Sequence, residues 1–307
     1  MYQWTKYQNN TIKKHEFTRL EKEQDRINHF DVCDTDTEPV FLTYRDDGKI
    51  RSMIADFADN HEPVYDITAD DGIRHMLWVV DDEGMVAELV ALFGEVPALY
   101  IADGHHRSAS ACKVGLKRRK ENPGYKGDEE FNFFMAAIFP DSDLKIFDYN
   151  RVIKDLNGLT EDGFIDRVKA SGFDVEEMGA EPYRPNAKHV FAMYLDGKWY
   201  KLTAKSEIIP DHVIDSLDVA ILQNNIFEPI LGISDPRTDK RIDFVGGIRG
   251  LQELERRATS DMKVAFAVYP VDVKDLMEVS DNGMVMPPKS TWFEPKLASG
   301  LFLHSLK

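Results

Sequence analysis

Apolar residues along this chain alternate between runs of four to six and helical spacings, and the two patterns interleave. Val96-Pro97-Ala98-Leu99-Tyr100-Ile101 is a short apolar run of the kind that fills a buried strand, and Pro39 to Tyr44 predicts a second strand ending in an Asp46-Asp47-Gly48 turn. Residues 18–31 place Leu20, Ile27 and Phe30 among charges, as an exposed amphipathic helix does. Asp82 to Phe93 spaces Met85, Val86, Leu89, Val90 and Phe93 helically before Gly94, and Ser108 to Lys120 carries Ala111, Val114 and Leu116 on a third helix. Phe131 to Phe139 is too short to assign between helix and strand.

A second region begins near residue 141. Phe164 to Ala170 predicts a helix stopped by Ser171-Gly172. His189–Leu195 and Lys198–Leu202 flank Asp196-Gly197, a strong hairpin signal. Asp218 to Leu231 predicts a helix, and Arg241–Val245 and Lys263–Val268 predict strands around a helix from Leu251 to Arg257. Strands and helices mix without strict alternation, so the expected class is α+β, or mixed α/β. The expected division is residues 1–140 and 141–307, with the loop at 285–300 returning to the site.

The 307 residues suffice for two such regions. A formal charge of −16 disfavours nucleic acid, so no DNA partner is expected. The basic run Lys117-Arg118-Arg119-Lys120 is expected at a helix C-terminus, where cations suit the dipole. Two cysteines without a C-x-x-C pair argue against a disulfide framework and for a reducing, cytoplasmic setting. No apolar run has bilayer length, so no membrane partner is expected.

Between the Val96–Ile101 strand and the helix that follows lies Asp103-Gly104-His105-His106-Arg107. A helix start presents amide donors and the positive end of a dipole to an anion, the glycine lets backbone approach closely, and Arg107 adds a planar fork matched to phosphate oxygens. A metal reading of His105 and His106 is weaker, because adjacent helical residues point about 100° apart and no H-E-x-x-H spacing accompanies them. Gly246-Gly247-Ile248-Arg249-Gly250 sits at a similar turn. It reads either as a second anion loop or as glycines serving the backbone alone. Glu16, in Lys13-Lys14-His15-Glu16, is either a catalytic carboxylate or a partner of the following helix's dipole. In Pro287-Pro288-Lys289-Ser290-Thr291-Trp292-Phe293-Glu294-Pro295-Lys296, prolines stiffen a loop holding a lysine, two hydroxyls and an indole; the alternative is a rigid connector with a packed tryptophan.

Asp103-Gly104-His105-His106-Arg107 after an apolar strand resembles the signature of the ParB/sulfiredoxin nucleotide-binding superfamily, most closely that of its free-serine kinases. His15-Glu16 and Pro288-Lys289-Ser290-Thr291 match the other two motifs of those kinases, in the same order. More specifically, Thr11–Glu16, Asp239–Phe244 and Pro287–Lys296 resemble an uncharacterised bacterial and archaeal family described as SpoOJ/ParA/ParB/RepB-like, over nearly the whole chain. Members of that family usually have a longer N-terminal region, and residues 141–235 have no convincing counterpart in the serine kinases.

The resemblance implies a kinase that transfers a phosphate of ATP or ADP, with Mg²⁺, to the hydroxyl of serine or a similar small molecule. It implies Glu16 as base, with Asp103 and His105 also in the catalytic set. Gly104, His105, His106, Arg107, Lys289, Ser290 and Thr291 would hold the nucleotide phosphates, and Trp292 and Lys296 the substrate. Asp103 would cap the helix or help hold Mg²⁺, and no metal site built from protein ligands alone is expected. The alternative is a nucleotide-binding switch of the ParB type, without transfer. An oligomer is compatible with either. The kinase reading expects these three segments to converge around a phosphate.

Overall fold

The computed structural model describes residues 2–307 as a mixed α/β protein. Its chain forms two compact units, the first comprising Met1–Lys13, Arg19–Leu144 and Leu297–Lys307, the second Lys14–Thr18 and Lys145–Lys296. Short segments near each terminus therefore belong to the other unit from their sequence neighbours, which a single boundary near residue 140 does not capture.

The first unit is built on a four-stranded sheet in the order Ile12–Lys13, Leu99–Asp103, Val40–Tyr44, Ala136–Pro140. Val40–Tyr44 runs antiparallel to Leu99–Asp103 and parallel to Ala136–Pro140, and every one of its residues is buried. That is why Val-Phe-Leu-Thr-Tyr reads as a continuous apolar run rather than an alternation. The ambiguous Phe131–Phe139 stretch resolves into a 3-10 turn, Glu130–Asn132, followed by strands Phe133–Phe134 and Ala136–Pro140. Helix Glu83–Glu95 starts on Asp82, whose carboxylate accepts the Met85 N–H at 2.7 Å, a regular N-cap.

Helix Leu20–Cys33 packs beside helix His105–Glu121. Lys113 pairs with Glu23, Lys117 with Asp31 and Arg118 with Asp34 across this contact. Arg119 lies over the Trp4 ring at 4.2 Å and donates to Asn132 at 2.6 Å. Thus Lys117, Arg118 and Arg119 of the basic run are engaged by groups of their own unit, at the helix C-terminus where the sequence places them.

The second unit carries a six-stranded antiparallel sheet ordered Phe173–Gly179, Lys198–Ala204, Val190–Leu195, Val264–Ala267, Tyr149–Ile153, Ile242–Gly246. Alternation along Val264–Ala267 explains its two cores. Val264 and Phe266 join Phe164, Ile226 and Phe227 on one face, while Ala265 and Ala267 meet Leu251 and Leu254 of helix Leu251–Ser260 on the other. The expected helix over Asp218–Leu231 is shorter than its apolar spacing implies. It is α-helical over Asp218–Leu222, then opens into a π turn at Gln223–Phe227. There the Gln223 amide donates to the Ile233 carbonyl at 2.7 Å and Asn225 to that of Ile221 at 2.9 Å, side-chain bonds that compete with a regular ladder. Among the described residues no helix is long and apolar enough to cross a membrane.

Candidate functional site

In the first unit the strand Leu99–Asp103 passes through Gly104 directly into helix His105–Glu121. Gly104 has φ +96°, a left-handed conformation that L side chains rarely adopt. A Cβ there would also lie 2.8 Å from Arg107 Nε and 3.0 Å from Nη2, so the missing side chain is what lets the guanidinium fold back over the turn. Asp103 Oδ1 accepts the Gly104 N–H at 2.7 Å, bonding one residue before the helix rather than within its first turn. His105 is buried, whereas His106 is half-buried and its Nε2 accepts the Arg19 N–H at 3.1 Å. The turn thus combines a helix start, a cation and two imidazoles, a set suited to an oxyanion.

Two partners of this turn were not visible in the sequence. Arg107 Nη1 donates to Glu38 Oε2, and the other oxygen of Glu38 accepts the Ser299 hydroxyl at 2.5 Å. Hydrogen bonding from Ser299, then from Arg107, holds the Glu38 carboxyl below its ordinary range. A carboxylate thus fixes Arg107 Nη1, while Arg107 Nε is buried without a hydrogen-bond partner. The carboxylate therefore fixes the orientation of the guanidinium over the turn.

In the second unit the C-terminal motif is held by strand Trp292–Glu294, paired antiparallel with Lys145–Phe147. Lys289 is exposed, with φ +56°, and its ammonium lies 5.5 Å from the Tyr149 ring centroid. Ser290 is buried and donates to the Pro287 carbonyl at 2.6 Å, and Thr291 beside it is half-buried. Trp292 is wedged between neighbours. Its ring meets Tyr149 at 5.6 Å, its N–H donates to Glu294 at 2.9 Å, and the Lys296 ammonium lies 5.2 Å from its centroid.

This packing favours the backbone reading of Gly246-Gly247 over an anion loop. A Cβ on Gly246 would stand 2.6 Å from the Trp292 ring, and one on Gly247 would overlap the buried Asp148 carboxylate. These glycines make room for a ring and a carboxylate, and a carboxylate repels the ligand an anion loop would hold.

The His15-Glu16 segment belongs to the second unit and meets the same motif. Met286 N–H donates to the His15 carbonyl at 2.8 Å, and the His15 and Phe293 rings are 6.2 Å apart. Glu16 is exposed in a bend, while the next helix starts only at Leu20 in the other unit. It stands four residues before that helix in sequence. Of the three expected segments, His15-Glu16 and Pro287–Lys296 come together in one unit, and Asp103–Arg107 lies in the other. Among the described residues no group of three or more His, Cys, Asp or Glu side chains is placed to hold a metal ion.

A family model described as a protein of unknown function, DUF1015, matches residues 1–220. The chain belongs to the DUF1015 family. That match spans the His15-Glu16 and Asp103–Arg107 segments and stops short of the C-terminal loop. No curated protein matches this DUF1015 chain. Among solved structures it is similar to a free serine kinase in complex with AMP, at 16% identity and TM-score 0.45 over 95% of this chain and 88% of that one. A conserved hypothetical protein from Pyrococcus furiosus matches at 17% identity and TM-score 0.43, over 94% and 91%. SbnI with C-terminal truncation from Staphylococcus aureus matches at 10% and 0.49, over 95% and 83%.

Two buried carboxyls give this protein an acid-side stability. Burial raises Asp36, in the first unit, to about 6, and does the same to Asp218 in the second. A carboxyl raised above its unfolded value near 3.9 favours the protonated folded state, so its contribution is full below that value and is lost as pH rises through about 6. Thermal melts are expected to show higher midpoints at pH 5 than at pH 7.5, each aspartate accounting for about 1.4 kcal/mol. Asp36→Asn, which can still accept the Met135 N–H now bonded at 3.1 Å, should flatten the first unit's share. An unchanged slope in that variant would assign the pH dependence elsewhere.

Proposed function

We propose that this protein is a nucleotide-dependent phosphotransferase acting on the hydroxyl of serine or a similar small molecule, with a nucleotide-binding core of the ParB/sulfiredoxin type. The observation that carries the reading is the meeting of His15-Glu16 with Met286–Lys296, from opposite ends of the chain, at a main-chain hydrogen bond of 2.8 Å from Met286 to His15. It brings a carboxylate and a lysine loop, the groups that deprotonation of an acceptor and charge neutralisation require, into one unit. Gly104, His105, His106 and Arg107 hold phosphate oxygens of ATP or ADP, with Arg107 pre-positioned by Glu38. Asp103, the acidic residue at that turn, would help hold Mg²⁺, which would neutralise charge on the nucleotide phosphates. Lys289, Ser290 and Thr291 serve the transferred group, with charge from the lysine and hydrogen bonds from the hydroxyls. Trp292 and Lys296 flank the acceptor.

Phosphoryl transfer asks mainly for positioning and electrostatic stabilisation. In the proposed step the acceptor oxygen bonds to the terminal phosphorus of the nucleotide as the bridging P–O bond breaks. Glu16 takes the hydroxyl proton, and the nucleotide leaves with one phosphate fewer. Incubation with Mg²⁺, ADP or ATP, and L-serine, followed by phosphorus NMR, is expected to show phosphoserine. Calorimetry is expected to show nucleotide binding weakened at least tenfold in Arg107→Ala. Nucleotide binding without transfer to any hydroxyl acceptor would replace this reading with that of a binding switch.

A further inference from the structure

Arg151 is a buried cation to which the phosphotransfer reading gives no task. It lies on strand Tyr149–Ile153 and is 4% exposed. Its Nη1 donates to the Tyr149 carbonyl, Nη2 stands 3.4 Å from the Pro288 carbonyl, and the Phe244 ring lies 5.6 Å away. Among the described residues no carboxylate pairs with it, although Arg237, Arg241, Arg256 and Arg257 of the same unit each have one. Buried charges are ordinarily paired, because carbonyl dipoles replace only part of the lost hydration. Burial accordingly pushes the Arg151 guanidinium down to about 9.

Arg151 also lines a cavity of about 340 Å³, in the size range of small-molecule pockets. Gln223 and Asn224 of the π turn form part of its wall, and π turns often mark functional sites. Neither of its two carboxylates forms an ion pair with Arg151. Asp235 takes both forks of Arg237 at 2.9 Å, and Asp215 lies 3.0 Å from His212. Among the described residues Arg151 is therefore the wall's one cation without an ion-pair partner, attracted only at longer range by Asp218. Pro287 and Pro288 close the cavity and lead straight into Lys289–Thr291, while Met286, one residue earlier, bonds the segment that carries Glu16.

We infer that this cavity is the acceptor pocket and that Arg151 binds a carboxylate of the acceptor, making the substrate class small hydroxy- or hydroxyamino-acids. The acceptor role rests on the phosphotransfer reading, whereas the carboxylate site does not. The alternative is a purely structural arginine that ties its strand to the Pro288 carbonyl.

The test is calorimetry on the nucleotide-free full chain with L-serine, with D-glycerate, with serinol (two hydroxyls and an amine but no carboxylate) and with inorganic phosphate. Binding of either acid is expected, at least tenfold tighter than serinol or phosphate, and weakened at least tenfold in Arg151→Met. Ser234→Trp, at an exposed position on the cavity wall, should block the same binding without touching the core, which covers the case of an Arg151 variant that fails to fold. Absence of binding by both acids, equal binding of serinol, preference for phosphate, or wild-type affinity in the variants would each overturn the inference. Acid binding without phosphate transfer would sink the kinase reading alone. Transfer to serine with an unchanged KM in Arg151→Met would sink this one alone.

Discussion

Glu16→Gln is expected to bind nucleotide as the parent protein does and to lower phosphate transfer to serine by about 10²–10⁴-fold, the usual contribution of a positioned base. The substitution keeps shape and removes only the charge and the proton-accepting ability. Glu16 is exposed in a bend, so the isosteric variant should fold as the parent does. What orders the segment is its neighbour. The His15 carbonyl is bonded to Met286, and its ring lies against Phe293, so the amide of the variant would sit in the same loop as the native carboxylate. A drop in kcat with little change in nucleotide affinity identifies a group acting in the transition state. Transfer at the wild-type rate would remove Glu16 from the mechanism. A parallel loss of nucleotide binding would make it a binding residue instead of a base.

What the sequence discloses here depends on how far apart the interacting residues lie. The turn at Gly104 is legible because its parts are consecutive: an apolar run, a glycine, then a helix-forming stretch. The Asp196-Gly197 hairpin is legible for the same reason, and its strands pair in register from Leu195↔Lys198 to Val190↔Thr203. Glu38 and Ser299 are not, since they reach the Arg107 site across 69 residues and then a further 261, and nothing local distinguishes Glu38 from other surface carboxylates. Gly246-Gly247 stays ambiguous in sequence because a glycine pair after a strand has the same local signature whether it faces a phosphate or, as here, an indole and a carboxylate. The end of the Asp218 helix misleads because apolar spacing continues past residue 222, while amide side chains at 223 and 225 take up backbone groups. Arg151 leaves no signal at all. Its neighbours in the strand are no guide to its pairing, and only the fold shows that no carboxylate comes to meet it.

Gly115→Ala should destabilise the first unit, against the helix propensities. Alanine in a helix interior is favoured over glycine by about 1 kcal/mol, so an exposed site would gain stability. Gly115, however, lies on the face of helix His105–Glu121 that Trp4 covers, and a Cβ there would overlap the indole ring. Trp4 cannot easily give way. It is 1% exposed, its N–H donates to the Phe131 carbonyl at 3.2 Å, and the Arg119 guanidinium lies 4.2 Å from its ring. Overpacking of this kind costs about 1–3 kcal/mol, and expelling the indole would cost about 3–5 kcal/mol of lost burial. The clash outweighs propensity either way, so a net loss of about 1–2 kcal/mol is expected in denaturant melts followed by tryptophan fluorescence. Gly124→Ala, with nothing within 4 Å of the added carbon, is the matched control and should leave stability close to the parent's. The same helix begins with His105–Arg107, so a shift that relieves the clash by sliding the helix would carry the proposed phosphate turn with it, and on that proposal would weaken nucleotide binding. A Gly115→Ala protein as stable as its parent would mean that Trp4 is not held where this packing requires.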